Sequence, residues 1–149
     1  MASTLKNRIT DDMKSAMRAK DKQRLLTIRL ILAAIKQREV DERCELNDSD
    51  IVALLDKMAK QRRESIEQYR QANREELERQ EQFELNIIRE YLPAALSEAE
   101  IEALITQAIN STGASTMQEM GKVMGLLKPK LQGRADLGAV SVRIKTLLS

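Results

Sequence analysis

The chain has 149 residues, of which 32% are charged and only 2% aromatic, a composition that suits long helices in water and a length that allows one ordinary domain or two small ones. Without histidine it lacks the commonest general base and metal ligand, and Cys44, its single cysteine, allows neither an intramolecular disulfide nor a zinc site of its own. The net charge of +2 hides a division into +5 over residues 1–43, −4 over 44–93, −3 over 94–114 and +4 over 115–149, so a polyanion would be drawn to the two ends.

No apolar run of signal-peptide length lies between Met1 and Thr10, and nowhere do about 18 apolar residues follow one another. With one cysteine this predicts a soluble, cytoplasmic protein without a membrane partner. Thr4 is placed as the cap of a first helix with Leu5, Ile9, Met13 and Met17 on one side, ending near Ala19–Lys20. Asp21 caps a second helix whose stripe of Leu25, Ile28, Leu32 and Ile35 is widened by Leu26, Ile31 and Ala34, making it the most apolar helix and the centre of the first core. Asn47-Asp48 starts a third, predicted to run to about Gln71 with Ile51, Leu54, Leu55, Met58, Ile66 and Tyr69 at helical spacing. Its polar side offers the pairs Asp56 with Lys60 and Arg63 with Glu67. After Asn73 a fourth helix carries Leu77, Leu85, Ile88 and Leu92 with Phe83, Ile87 and Tyr91, and Pro93 ends it.

That proline is taken as the boundary between an N-terminal helical domain, 1–93, and a three-helix domain, 94–149. In the second, Ser97-Glu98-Ala99-Glu100 is a capping box that opens a helix closed by Gly113. Ser115 or Thr116 starts the next helix, Pro129 stops it, and Asp136 caps the last, with Leu137, Val140, Ile144, Leu147 and Leu148 inward. The fold class is therefore all-α: long helices first, then a small helical tail.

All five glycines lie at or after Gly113, and a glycine inside a helix costs about 1 kcal/mol relative to alanine. Gly121 and Gly125, four apart, therefore need a reason. One reading makes Gly121, Gly125 and Gly133 close-packing positions beside a core filled by Met117, Met120, Met124 and Leu127. The other adds Lys122, Lys128, Lys130 and Arg134, which surround a Pro-x-x-x-Gly turn leading into the amino end of the last helix, where unpaired amides favour an anion. The three rings, Tyr69, Phe83 and Tyr91, all fit apolar stripes, so a nucleic acid would be held by phosphate, 2′-hydroxyl and shape rather than by stacking. No phosphate-binding glycine motif is present, carboxylate pairs such as Glu75 and Glu76 fit solvated helix faces, and Cys44 has no partner base in view. Neither cofactor nor metal is expected.

Four stretches in this order resemble the GatB/YqeY family, in particular its stand-alone YqeY-like proteins. They are Asp21-Lys-Gln-Arg-Leu-Leu-Thr-Ile-Arg29, Lys60-Gln-Arg-Arg63, Ile88-Arg-Glu-Tyr-Leu-Pro93, and the run from Met120-Gly-Lys-Val-Met124-Gly through Lys128-Pro-Lys130 to Gly133-Arg-Ala-Asp136. The resemblance implies a tail similar to the C-terminal domain of the B subunit of the glutamine-dependent tRNA amidotransferase, which contacts tRNA. It also implies an association with carbon-nitrogen ligase activity using glutamine as amido-nitrogen donor, although no catalytic constellation is visible in this sequence. One departure from the pattern is Asp136-Leu-Gly138, where some relatives set the glycine directly after the aspartate.

The expectation is a tRNA-associated accessory protein that binds structured RNA through Lys122, Lys128, Lys130 and Arg134, alongside an amidotransferase or an aminoacyl-tRNA synthetase. Two alternatives stand beside it: a component of a glutamine-dependent ligase, and a helical protein-protein adaptor using the glycine face.

Overall fold

The computed structural model describes residues 3–149; among them the regular structure is entirely helical, as the sequence predicts. The helices are α1 (Thr4–Arg18), α2 (Lys22–Glu42), α3 (Asp48–Gln71), α4 (Glu75–Tyr91), α5 (Glu98–Thr112), α6 (Met120–Leu131), preceded by a 3-10 turn (Met117–Glu119), and α7 (Leu137–Leu148). Two compact units result, one ending at Leu92 and the other Pro93–Ser149.

Local chemistry sets most helix starts in the first unit. The Ser3 hydroxyl accepts from the Lys6 amide at 3.0 Å, so the cap of α1 lies one residue before Thr4. Asp21 caps α2 through the Arg24 amide at 3.2 Å. Asn47 and Asp50 form a reciprocal capping box at the head of α3, each side chain accepting from the other's backbone amide. The ends are less ordinary. Because every glycine lies in the tail, Lys20, Arg43 and Asn73 take the left-handed conformation that terminates α1, α2 and α3, at φ of 57°, 53° and 56°.

The first core joins Ile9 of α1, Ile28, Ile31 and Ile35 of α2, Ile51 and Leu55 of α3, and Leu85 and Ile88 of α4, all almost wholly buried. Each such side chain gains about 1.5–3 kcal/mol on leaving water. The antiparallel α3–α4 pair is tied across: Arg70 bonds Glu78 at 2.9 Å, and Arg62 lies near Glu81 and the buried Glu84. The expected Arg63–Glu67 pair does not form, since Glu67 faces Arg70 at 3.5 Å. Three apolar positions of this unit predicted inward are exposed, Met17, Leu26 and Leu77, and so is Leu147 of α7, which lies on the outer side of that helix.

In the second unit Ile101, Ile105, Val123, Leu127, Leu131, Val140 and Ile144 form a separate core. The Ser97–Glu100 box and Gly113, at φ +66°, bound α5 as its sequence predicts. Pro129 does not stop α6. It sits in the last turn, where its missing amide removes one internal bond, that to the Gly125 carbonyl, and the helix continues to Leu131.

Candidate functional site

The rows on α6 decide what its lysines and glycines can do. Val123, Leu127 and Leu131, at i, i+4 and i+8, are buried and form the inner row. Gly121, Gly125 and Pro129 repeat the same spacing two residues earlier, which at about 100° per residue puts them on the opposite side of the helix. All three are exposed, and no atom lies within 4 Å of where a Cβ on Gly121 or Gly125 would stand. The expectation of close-packing glycines therefore finds no neighbour within the tail unit, where their strip faces outward. Gly133 is a turn residue, its φ of 76° following the end of α6.

The four cations do not share one face. Lys122 and Lys128 are about 120° apart around α6 and border the glycine strip on its two sides. Lys130 projects from the far flank, about 140° from the strip's middle. All three lysines are exposed, and none has a carboxylate partner among the described residues. Arg134 is engaged differently. Its Nε donates to the Ala94 carbonyl at 3.1 Å while its own carbonyl accepts from the Leu96 amide at 2.9 Å, so it fastens the segment before α5 to the α6–α7 turn.

The head of α7 is also not open to an anion in the way the sequence suggested. Asp136 already supplies the negative charge there, its Oδ1 accepting from the Gly138 amide at 2.9 Å and the Ala139 amide at 3.4 Å. What remains is a flat strip of exposed backbone with a lysine on either side. Of the residues that the sequence assigns to this core, Leu127 is buried and Met120 and Met124 pack against it, while Met117 is 42% exposed; Val123 and Leu131 complete the inner row and were not named. Their spacing was the signal that would have turned the glycines outward.

The other stretches of the resemblance lie in the first unit, and two of them meet. Arg24 forms a two-point ion pair with Glu90 at 2.9 and 3.1 Å. Next to it the Tyr91 hydroxyl donates to Asp12 at 2.6 Å and the Arg8 guanidinium lies 4.9 Å from the Tyr91 ring centre. Burial first, then the bond to Asp12, raises the Tyr91 pKa, and the bond to Glu90 raises that of Arg24. This cluster joins α1, α2 and the end of α4, and its charges face one another. Among the described residues no group of three or more His, Cys, Asp or Glu could hold a metal ion, and no helix is long and apolar enough to cross a membrane.

Comparison with known proteins adds a family model, Yqey-like protein, that matches residues 6–148. Similar sequences include Altered inheritance of mitochondria protein 41, mitochondrial, from Pyrenophora tritici-repentis (34% identical, covering 95% of this chain and 79% of that protein). Its namesake from Kluyveromyces lactis is 37% identical over 91% of this chain and 76% of that protein. The namesake from Lachancea thermotolerans is 40% identical over 66% of this chain and 54% of that protein, so the chain spans about half its length. These names overturn the cytoplasmic expectation, because the similar proteins are mitochondrial by name. Cysteine count separates oxidising from reducing surroundings and does not distinguish one reducing compartment from another.

Proposed function

The chain belongs to the Yqey-like protein family, and on that premise we propose that it is a tRNA-associated accessory protein whose tail holds a structured RNA against the outer face of α6. The observation that carries this reading is the pair Gly121 and Gly125. Each weakens the helix by about 1 kcal/mol relative to alanine, and neither makes room for a neighbour within its own three-helix unit. Their smallness is therefore of use to something outside, a backbone that must lie close to the helix.

The chemistry around them suits a nucleic-acid backbone. Lys122 and Lys128 stand on both sides to meet phosphates. The Gly125 carbonyl, whose usual helical donor four residues on is replaced by Pro129, can accept from a 2′-hydroxyl. The tail contains no aromatic ring, so recognition rests on backbone and shape. The family resemblance supplies the class of RNA, tRNA, and the setting, glutamine-dependent amidation.

The test is binding of tRNA to the full chain as a function of salt. Affinity falls linearly on a logarithmic scale, and changing Lys122 and Lys128 together to alanine flattens the slope by about 1–2 units. An affinity indifferent to salt, or unchanged in that variant, contradicts the reading.

A further inference from the structure

We propose that the outer face of α2 is a docking surface for an acidic amphipathic helix of a partner protein. The helix is apolar on two sides. Ile28, Ile31 and Ile35 face the core, while Leu26, Leu30, Ala33, Gln37 and Val40 form an exposed row on the other side, with Leu26, Leu30 and Val40 at 62%, 48% and 62% exposure. The spacing of that row is four, three, four, three, the alternation by which one helix lies along another. It extends about 21 Å, long enough for two heptads of a partner.

Charge identifies the occupant. Lys22, Arg29, Lys36 and Arg43 recur at every seventh residue along one edge of the row. All are exposed, and none has a carboxylate partner among the described residues. The other two arginines of the helix, Arg24 and Arg38, are paired with Glu90 and Glu42. The exposed edge is thus a basic row without its complement, and the fitting partner is a helix that brings apolar residues to the seam and carboxylates to that edge. A second copy fits poorly, because antiparallel pairing of two α2 helices sets basic row against basic row. An RNA would meet the cations and leave the two leucines and the valine with nothing apolar to cover them. The surface belongs to the first unit, shares no residue with the tail strip and does not depend on it.

The probe is a synthetic helix of about three heptads with leucine at the seam and glutamate at the flanking positions, and a twin with lysine in place of glutamate. The full chain binds the glutamate peptide at least about tenfold more tightly than the lysine twin. Leu26→Ser with Leu30→Ser lowers that affinity by about tenfold or more, and Arg29→Glu with Lys36→Glu reverses the preference between the two peptides. The charge-reversal pair lies on exposed positions and keeps the test valid should the serine variant lose its fold. Equal binding of both peptides overturns the proposal, as does a preference that survives charge reversal. So does a dimer in sedimentation that the serine changes abolish, or a loss of tRNA affinity in the serine variant without peptide binding in the parent.

Discussion

Two regions carry the sequence features shared with the family, and the structure uses them in opposite ways. Around Tyr91 at the end of α4 the polar groups are taken up within the fold: Arg24 pairs with Glu90, and the Tyr91 hydroxyl donates to Asp12, beneath the Arg8 guanidinium. On α6, Lys122 and Lys128 meet no opposite charge, and Gly121 and Gly125 touch nothing in their own unit. Similar residue types therefore do different work, closing a fold in one place and leaving a surface open in the other. Substitutions in the first region should act on stability, and those in the second on binding.

The largest expected effect tests the closed region. Tyr91→Ala removes a buried ring and should cost about 3–5 kcal/mol in denaturant unfolding, whereas Tyr91→Phe, which loses only the bond to Asp12, should cost about 1 kcal/mol. Next is a control within the tail: Gly133→Ala puts a side chain at φ +76° and should destabilise by about 1–2 kcal/mol, with tRNA affinity per folded molecule unchanged. A loss of affinity there would blur the distinction between the regions.

A pH titration probes the pairing in the first unit. The Lys6 hydrogen bond and then the Leu46 amide hold Glu39 below the usual carboxylate range, and the Ser3 hydroxyl and Leu5 amide do the same for Asp48. A lowered folded pKa stabilises above the ordinary value and ceases to do so as pH falls through it. Glu84 runs the other way: desolvation raises its pKa, partly offset by Arg62, so it favours the fold at low pH and opposes it once pH has risen through its raised value. The urea midpoint should therefore fall on acidification below about pH 4. Glu39→Gln should shrink that fall, whereas Glu84→Gln should leave it and instead remove the gain that Glu84's protonation brings at higher pH, between its raised value and the ordinary one. The smallest effect is that of Lys130→Ala, which should change stability by less than about 0.5 kcal/mol and leave the salt slope of tRNA binding as it was. An effect equal to that of Lys128→Ala would mean that the flank of α6, and not its glycine strip, meets the RNA.

What could be read from the chain was what local chemistry determines. The boxes at Asn47–Asp50 and Ser97–Glu100, the caps at Asp21 and Asp136, and the glycine end of α5 act through a few neighbouring residues, and they set helix positions and the all-α class. The ends of α1 near Lys20 and of α3 before Asn73 were also read, from the break in apolar spacing, but not the left-handed conformation that Lys20, Arg43 and Asn73 adopt there, because no glycine marks it. α2 misled for a different reason: an apolar residue in a helix with two apolar rows does not say which row is buried, and Leu26 fell on the outer one. Which cations would be neutralised was not legible at all. The Arg24–Glu90 pair spans 66 positions, and Arg134 finds the Ala94 carbonyl 40 positions away. On α6 the information was present: Leu127, Met120 and Met124 were read as inward and are, and the Val123, Leu127, Leu131 row that fixes the glycines opposite was there to be counted.

The account turns on two glycines kept on an open helix face for the sake of a ligand, and the double variant Gly121→Ala, Gly125→Ala measures this directly. With no neighbour within 4 Å of either added methyl, the full chain should gain up to about 2 kcal/mol in stability, while tRNA affinity at fixed salt falls about tenfold. A variant that melts higher and binds tRNA as well as the parent would contradict it.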